Sequence, residues 1–73
     1  MSSTDIRETC TQIIDEANAV IAYTNSLEMA ESDKSKAVFS EIRLDELSHL
    51  QKHIVALTEI LSGDEPGEAE KIE

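Results

Sequence analysis

Apolar residues recur along this 73-residue chain at the three- and four-residue spacing of a helix face, in two long runs around one polar break. The first run is Ile6, Cys10, Ile13, Ile14, Ala17, Val20, Ile21, Thr24 and Leu27. It predicts a helix from about residue 4 to 30, with caps on offer between Ser2 and Asp5 and a capping-box pair in Asp5 and Glu8. The break, Glu31-Ser32-Asp33-Lys34-Ser35, ends that helix, and Ser32 or Asp33 caps the next. A tight αα-hairpin follows. The second run is Val38, Phe39, Ile42, Leu47, Leu50, Ile54, Leu57, Ile60 and Leu61, and it predicts a helix from about residue 34 to 62. Gly63 is a natural stop, with Pro66 close behind. Residues 1–62 therefore read as a helical hairpin domain, and the acidic residues 63–73 as a flexible tail with little to bury.

Polar residues interrupt the second run in a regular way. At about 100° per residue, Glu46 falls in the same column as Phe39, His53 and Ile60. A carboxylate within an apolar stripe is costly unless something neutralises it. Glu46 and His49, three apart, project from one side of a helix and can share one metal ion. The other reading is a heptad seam whose polar members set the register of a bundle. His53 is two turns from Glu46, too far to share its ion easily; it is either an additional ligand or proton relay, or a buried, hydrogen-bonded histidine. On the first helix Glu16 and Tyr23 stand a heptad apart, bracketing Val20. Tyr23 is a packed ring with its hydroxyl at the rim, or a hydrogen-bond partner of a metal ligand.

Composition narrows the class. Aromatic residues make up 3% of the chain and hydrophobic ones 40%, with one Pro and two Gly, which favours an all-α fold. Sixteen acidic against six basic residues give a formal charge of −10, which argues against a nucleic-acid surface and against binding to an anionic membrane. No stretch approaches the roughly 18 apolar residues of a membrane span. No secretory leader is visible, and the single Cys10 suggests a reducing, cytoplasmic setting. A chain this short buries a limited core, so a partner, a metal or an oligomer is expected to supplement it.

Glu16 and Glu46 are equidistant from residue 31, at the turn. Each lies about 22 Å from it at 1.5 Å rise per residue, so an antiparallel hairpin is expected to set Glu16 beside Glu46, with His49 one turn further on. One hairpin then supplies half of the di-iron carboxylate arrangement, in which two helices give a Glu and two give a Glu-x-x-His. Two chains about a two-fold axis complete the set, and the same pairing is expected to bury the stripe that a lone hairpin leaves wet.

At Glu16, Tyr23, Glu46 and His49 the chain resembles the encapsulated ferritins, or half-ferritins, of the ferritin-like and rubrerythrin group, over roughly residues 8 to 61. The resemblance implies a hairpin that dimerises into a ferritin-like four-helix bundle. It implies a di-iron site at the two-fold interface, two irons per dimer with ligands from both chains, Glu16 bridging and Glu46 and His49 chelating. It also implies oxidation of Fe(II) to Fe(III), closure of several dimers into a ring such as a decamer, and an encapsulin shell around the iron store. Asp15 matches an acidic position that helps metal uptake in that family. Ala22 stands where the family often has Trp, Asn18 replaces a carboxylate, and no shell-targeting peptide is recognisable after the tail.

Two other readings accompany the ferroxidase. One is a structural or partner-binding four-helix dimer, with Glu46 and His53 fixing its seam. The other keeps the metals but reduces peroxide, as rubrerythrins do. Zinc also suits these donors, because divalent-metal affinity often favours it over iron.

Overall fold

The polar break becomes a turn of three residues, Ala30 to Ser32, between two long antiparallel helices. In the computed structural model, which describes residues 3–63, α1 spans Ser3–Met29 and α2 spans Asp33–Ser62. Both lie within a residue or so of the ranges that periodicity predicts. Among the described residues there is no strand.

Each end of α2 is fixed by one residue. Ser32 is extended (φ −88°, ψ 149°), and its Oγ accepts from the Ser35 N–H at 3.0 Å. That bond satisfies one of the orphan donors of the first turn. At the far end Gly63 adopts φ 80°, ψ 8°, and its N–H donates back to the carbonyls of Glu59 and Ile60. A left-handed residue closes many helices this way, and glycine adopts it without Cβ strain. The start of α1 differs from expectation. Helix is already formed at Ser3, so Asp5 and Glu8 lie inside it rather than at a capping box. The tail, residues 64–73, lies outside the described residues.

The seam between the helices is thin. Ile13, Val20 and Leu27 of α1 and Ile42, Leu57 and Ile60 of α2 are sheltered in it, yet only Ile60, 7% exposed, is fully buried among the described residues. The Tyr23 and Phe39 rings pack against each other with centroids 6.3 Å apart, a tilted aromatic pair within the favourable range. Nine large hydrophobic side chains stay exposed. Two helices have one mutual contact line, so an apolar band about 180° wide cannot be buried by one partner helix.

Five of those nine fall on one side of the hairpin. The sheltered residues fix the inward direction of each helix, and the others follow at about 100° per residue. In antiparallel helices of the same hand, residues a quarter turn past the inward direction fall on the same side of the hairpin in both. Ile14 and Ile21 of α1 lie there, with Leu47, Ile54 and Leu61 of α2. This is the apolar side. A quarter turn before the inward direction lie Glu8 and Asp15 of α1 and Glu41, Asp45, His49 and Glu59 of α2, with Lys34 and Lys52 as the basic members. This is the acidic side.

Candidate metal centre

Glu16 is the most sheltered carboxylate among the site candidates, its side chain 12% exposed against 25% for Glu46. Its partner is not Glu46. Glu16 Oε1 lies 2.7 Å from Nδ1 of His53, whose side chain is 37% exposed. The same Nδ1 is 3.1 Å from the His49 carbonyl oxygen, one turn back along α2. Both neighbours are acceptors, so hydrogen-bond bookkeeping places the proton on Nδ1. In the neutral ring the lone pair is then on Nε2. His53 thus fills the role of a half-buried, hydrogen-bonded histidine.

The expected juxtaposition of Glu16 with Glu46 is corrected by one heptad. Equal distance from the turn is the wrong criterion, because helical side chains lean towards their own N-terminus. In an antiparallel hairpin an α1 side chain leans away from the turn and an α2 side chain leans towards it. The matching α2 residue therefore starts further from the turn. Thr24 shows an offset in the same direction. Its Oγ1 accepts at 2.6 Å from Nε of Arg43, which lies beyond the residue equidistant from the turn. His53 occupies Glu46's column, seven residues on, and so takes its place beside Glu16.

Glu46 and His49 behave as their spacing requires. Glu46 Oε1 and His49 Nδ1 are 3.9 Å apart on one flank of α2, and His49 is largely exposed. That is too long for a hydrogen bond. It is within the span of one ion with metal–ligand bonds of about 2.0–2.2 Å. Tyr23 is a packed ring, and no hydrogen bond joins its hydroxyl to Glu16, Glu46 or His49 among the described residues. Asp15 is exposed on the acidic side. Within one chain, no three His, Cys, Asp or Glu side chains among the described residues converge on a common point. Cys10 is a half-buried free thiol.

The structure also separates two roles that one pairing was expected to serve together. Glu16, Tyr23, His49 and His53 are displaced towards the acidic side, whereas the wet stripe Ile14, Ile21, Leu47, Ile54 and Leu61 lies on the other. A second chain that met His49 would leave that stripe uncovered.

Compared with protein-family models, with curated proteins and with solved structures, the chain matches none. No helix among the described residues is long and apolar enough to cross a membrane.

Proposed function

We propose that the hairpin is half of a ferroxidase, in which two chains meet across their acidic sides and bind Fe(II) as substrate between them. The observation that carries this reading is the Glu46–His49 pair, an oxygen and a nitrogen donor 3.9 Å apart on one helix flank. Mixed oxygen and nitrogen donors suit Fe(II). A two-fold axis doubles them to two Glu46, two His49 and two Glu16, the ligand set of a di-iron carboxylate bundle. For Glu16 to join that set it has to give up its hydrogen bond with His53 and turn along the seam towards Glu46. The acidic side, crowded with carboxylates, disfavours pairing of bare chains and favours it with bound cations. Higher rings, an encapsulin shell and a cytoplasmic setting belong to this proposal through the resemblance to encapsulated ferritins.

The test is aerobic Fe(II) oxidation, followed by absorbance, for the wild type beside Glu46→Ala and His49→Ala. Oxidation by the wild type well above the protein-free rate, saturating near one iron per chain, and its loss in both variants is the expected result. Substituting peroxide for O₂ separates the rubrerythrin-like reaction. If all three proteins match the protein-free rate, the ferroxidase reading fails.

The Glu16–His53 contact favours a second reading. It satisfies the sheltered carboxylate within the chain, as a polar device fixing the register of a structural bundle would. Under that reading, metal-free protein and protein given Fe(II) have the same mass in solution and neither oxidises iron.

A further inference from the structure

We infer that His53 is a positioning residue of the candidate metal centre: in the metal-free chain it holds Glu16 away from the Glu46–His49 pair, and so sets how tightly the hairpin takes up Fe(II). The inference rests on the ferroxidase reading above and adds a regulator to that same site. A histidine bonded to a metal-binding carboxylate can act in either of two directions. Where one carboxylate touches the ion and the histidine together, the histidine supports the site, and its loss weakens metal binding about 10- to 100-fold. Where the carboxylate can touch only one of them, histidine and metal compete, and loss of the histidine strengthens binding.

Three observations favour competition. The first is distance. His53 stands seven residues beyond Glu46, about 10 Å further along α2 at 1.5 Å rise per residue. Glu16 Oε1 sits 2.7 Å from the His53 Nδ1, so a carboxylate held there is a heptad away from the ion-binding pair and cannot touch both. The second is a spare acceptor. The same Nδ1 lies 3.1 Å from the His49 carbonyl oxygen, so the ring keeps a partner for its proton when Glu16 leaves. The contact can therefore break without stranding a donor. The third is shelter. Glu16 is the least exposed of the candidate carboxylates and has no other hydrogen-bond partner among the described residues. Water compensates little for a carboxylate in that position, so in the metal-free chain His53 is what holds it. An ion gains Glu16 only by displacing that hydrogen bond, and the two equilibria are linked: whatever the contact contributes to the metal-free hairpin is lost from metal affinity.

The experiment is calorimetric titration with Fe(II) under anaerobic conditions at one pH, so that binding is read without oxidation. It compares the wild type with His53→Leu and His53→Ala, which lack the donor, with His53→Asn, whose amide N–H replaces Nδ1–H, and with Glu46→Ala. One ordinary hydrogen bond corresponds to about fivefold in affinity. His53→Leu and His53→Ala should each bind Fe(II) more tightly than the wild type by about that factor and keep its helical circular dichroism. His53→Asn should return the affinity to the wild-type value, and Glu46→Ala should abolish binding. A merely structural role for His53 has the opposite sign, because a loosened hairpin binds less well. If one of the two donor-free variants loses helix, the other carries the comparison; loss in both makes His53 a general support of the fold and overturns the inference. Unchanged or weaker binding by folded variants, beside a wild type that binds, also overturns it and leaves the ferroxidase reading standing. A wild type that binds no Fe(II) removes the ferroxidase reading, and this inference with it.

Discussion

Two polar contacts of the described residues cross the hairpin on opposite sides, and they are unequal. On the apolar side Arg43 Nε donates to Thr24 Oγ1 at 2.6 Å, and Thr24 in turn donates to the Val20 carbonyl at 2.7 Å. On the acidic side His53 meets Glu16 at 2.7 Å. Arg43 has a flexible stem and is only partly buried, so its head group can turn to solvent if Thr24 is removed. Glu16 is sheltered and has no second partner among the described residues. Similar distances therefore conceal different dependence on the partner. The lesson extends to the two sides as wholes. One has aliphatic residues that any helix of matching spacing can cover, while the other holds charges that need a specific counter-group, a proton or a cation.

The largest change in stability should come from the seam that both sides share. Ile60→Ala removes the most buried side chain, and truncations of this kind cost about 2–4 kcal/mol. Urea denaturation of chelator-treated protein, followed by circular dichroism at one concentration, should show the midpoint falling steeply, with little helix left at the start of the titration. A cost near zero would mean that the seam does not hold the hairpin together, and the comparison of its two sides would lose its frame.

Next comes the acidic-side contact. His53→Ala strands the Glu16 carboxylate, and unpaired sheltered groups cost about 1–3 kcal/mol. Glu can swing towards water and His53 is over a third exposed, so the low end, about 1 kcal/mol, is expected. Glu16→Gln should cost less, since an amide oxygen still accepts from Nδ1. Combining the two in a double-mutant cycle should give a coupling of about 0.5–1 kcal/mol. Additive effects would mean that the pair contributes no interaction of its own in solution.

Much of this was legible in the residues themselves. The alternation of apolar and polar positions located both helices, and Ser32 and Gly63 marked the start and the end of α2, because capping is local chemistry. The handedness of the site was not legible in the same way. Periodicity placed Glu46 and His53 in one column, but which of them met Glu16 depended on the backward lean of side chains in two antiparallel helices, a tertiary effect. Thr24 and Arg43 carried the same information, because their offset from the turn fixes the register of the hairpin. The division of the apolar band was also hidden. Leu47 and Leu50 look equivalent in a list of apolar positions, and only the position of α1 sends one outwards and the other inwards.

The smallest expected effect tests the comparison most closely. Thr24→Val keeps the β-branched shape but removes the hydroxyl between Arg43 and the Val20 carbonyl. The carbonyl belongs to the helix backbone and loses only an additional donor. Arg43 is left with four other guanidinium N–H groups and access to solvent. Valine is more apolar than threonine, which offsets part of the lost hydrogen bond at this part-buried position. The net cost should be about 0.5 kcal/mol or less, at most half that of His53→Ala in the same urea titration. If Thr24→Val costs as much as His53→Ala, distance alone ranks the two contacts and the difference in shelter between the sides has no energetic consequence. If it costs less, as expected, the register of the hairpin is held more firmly on the acidic side, by the contact between Glu16 and His53.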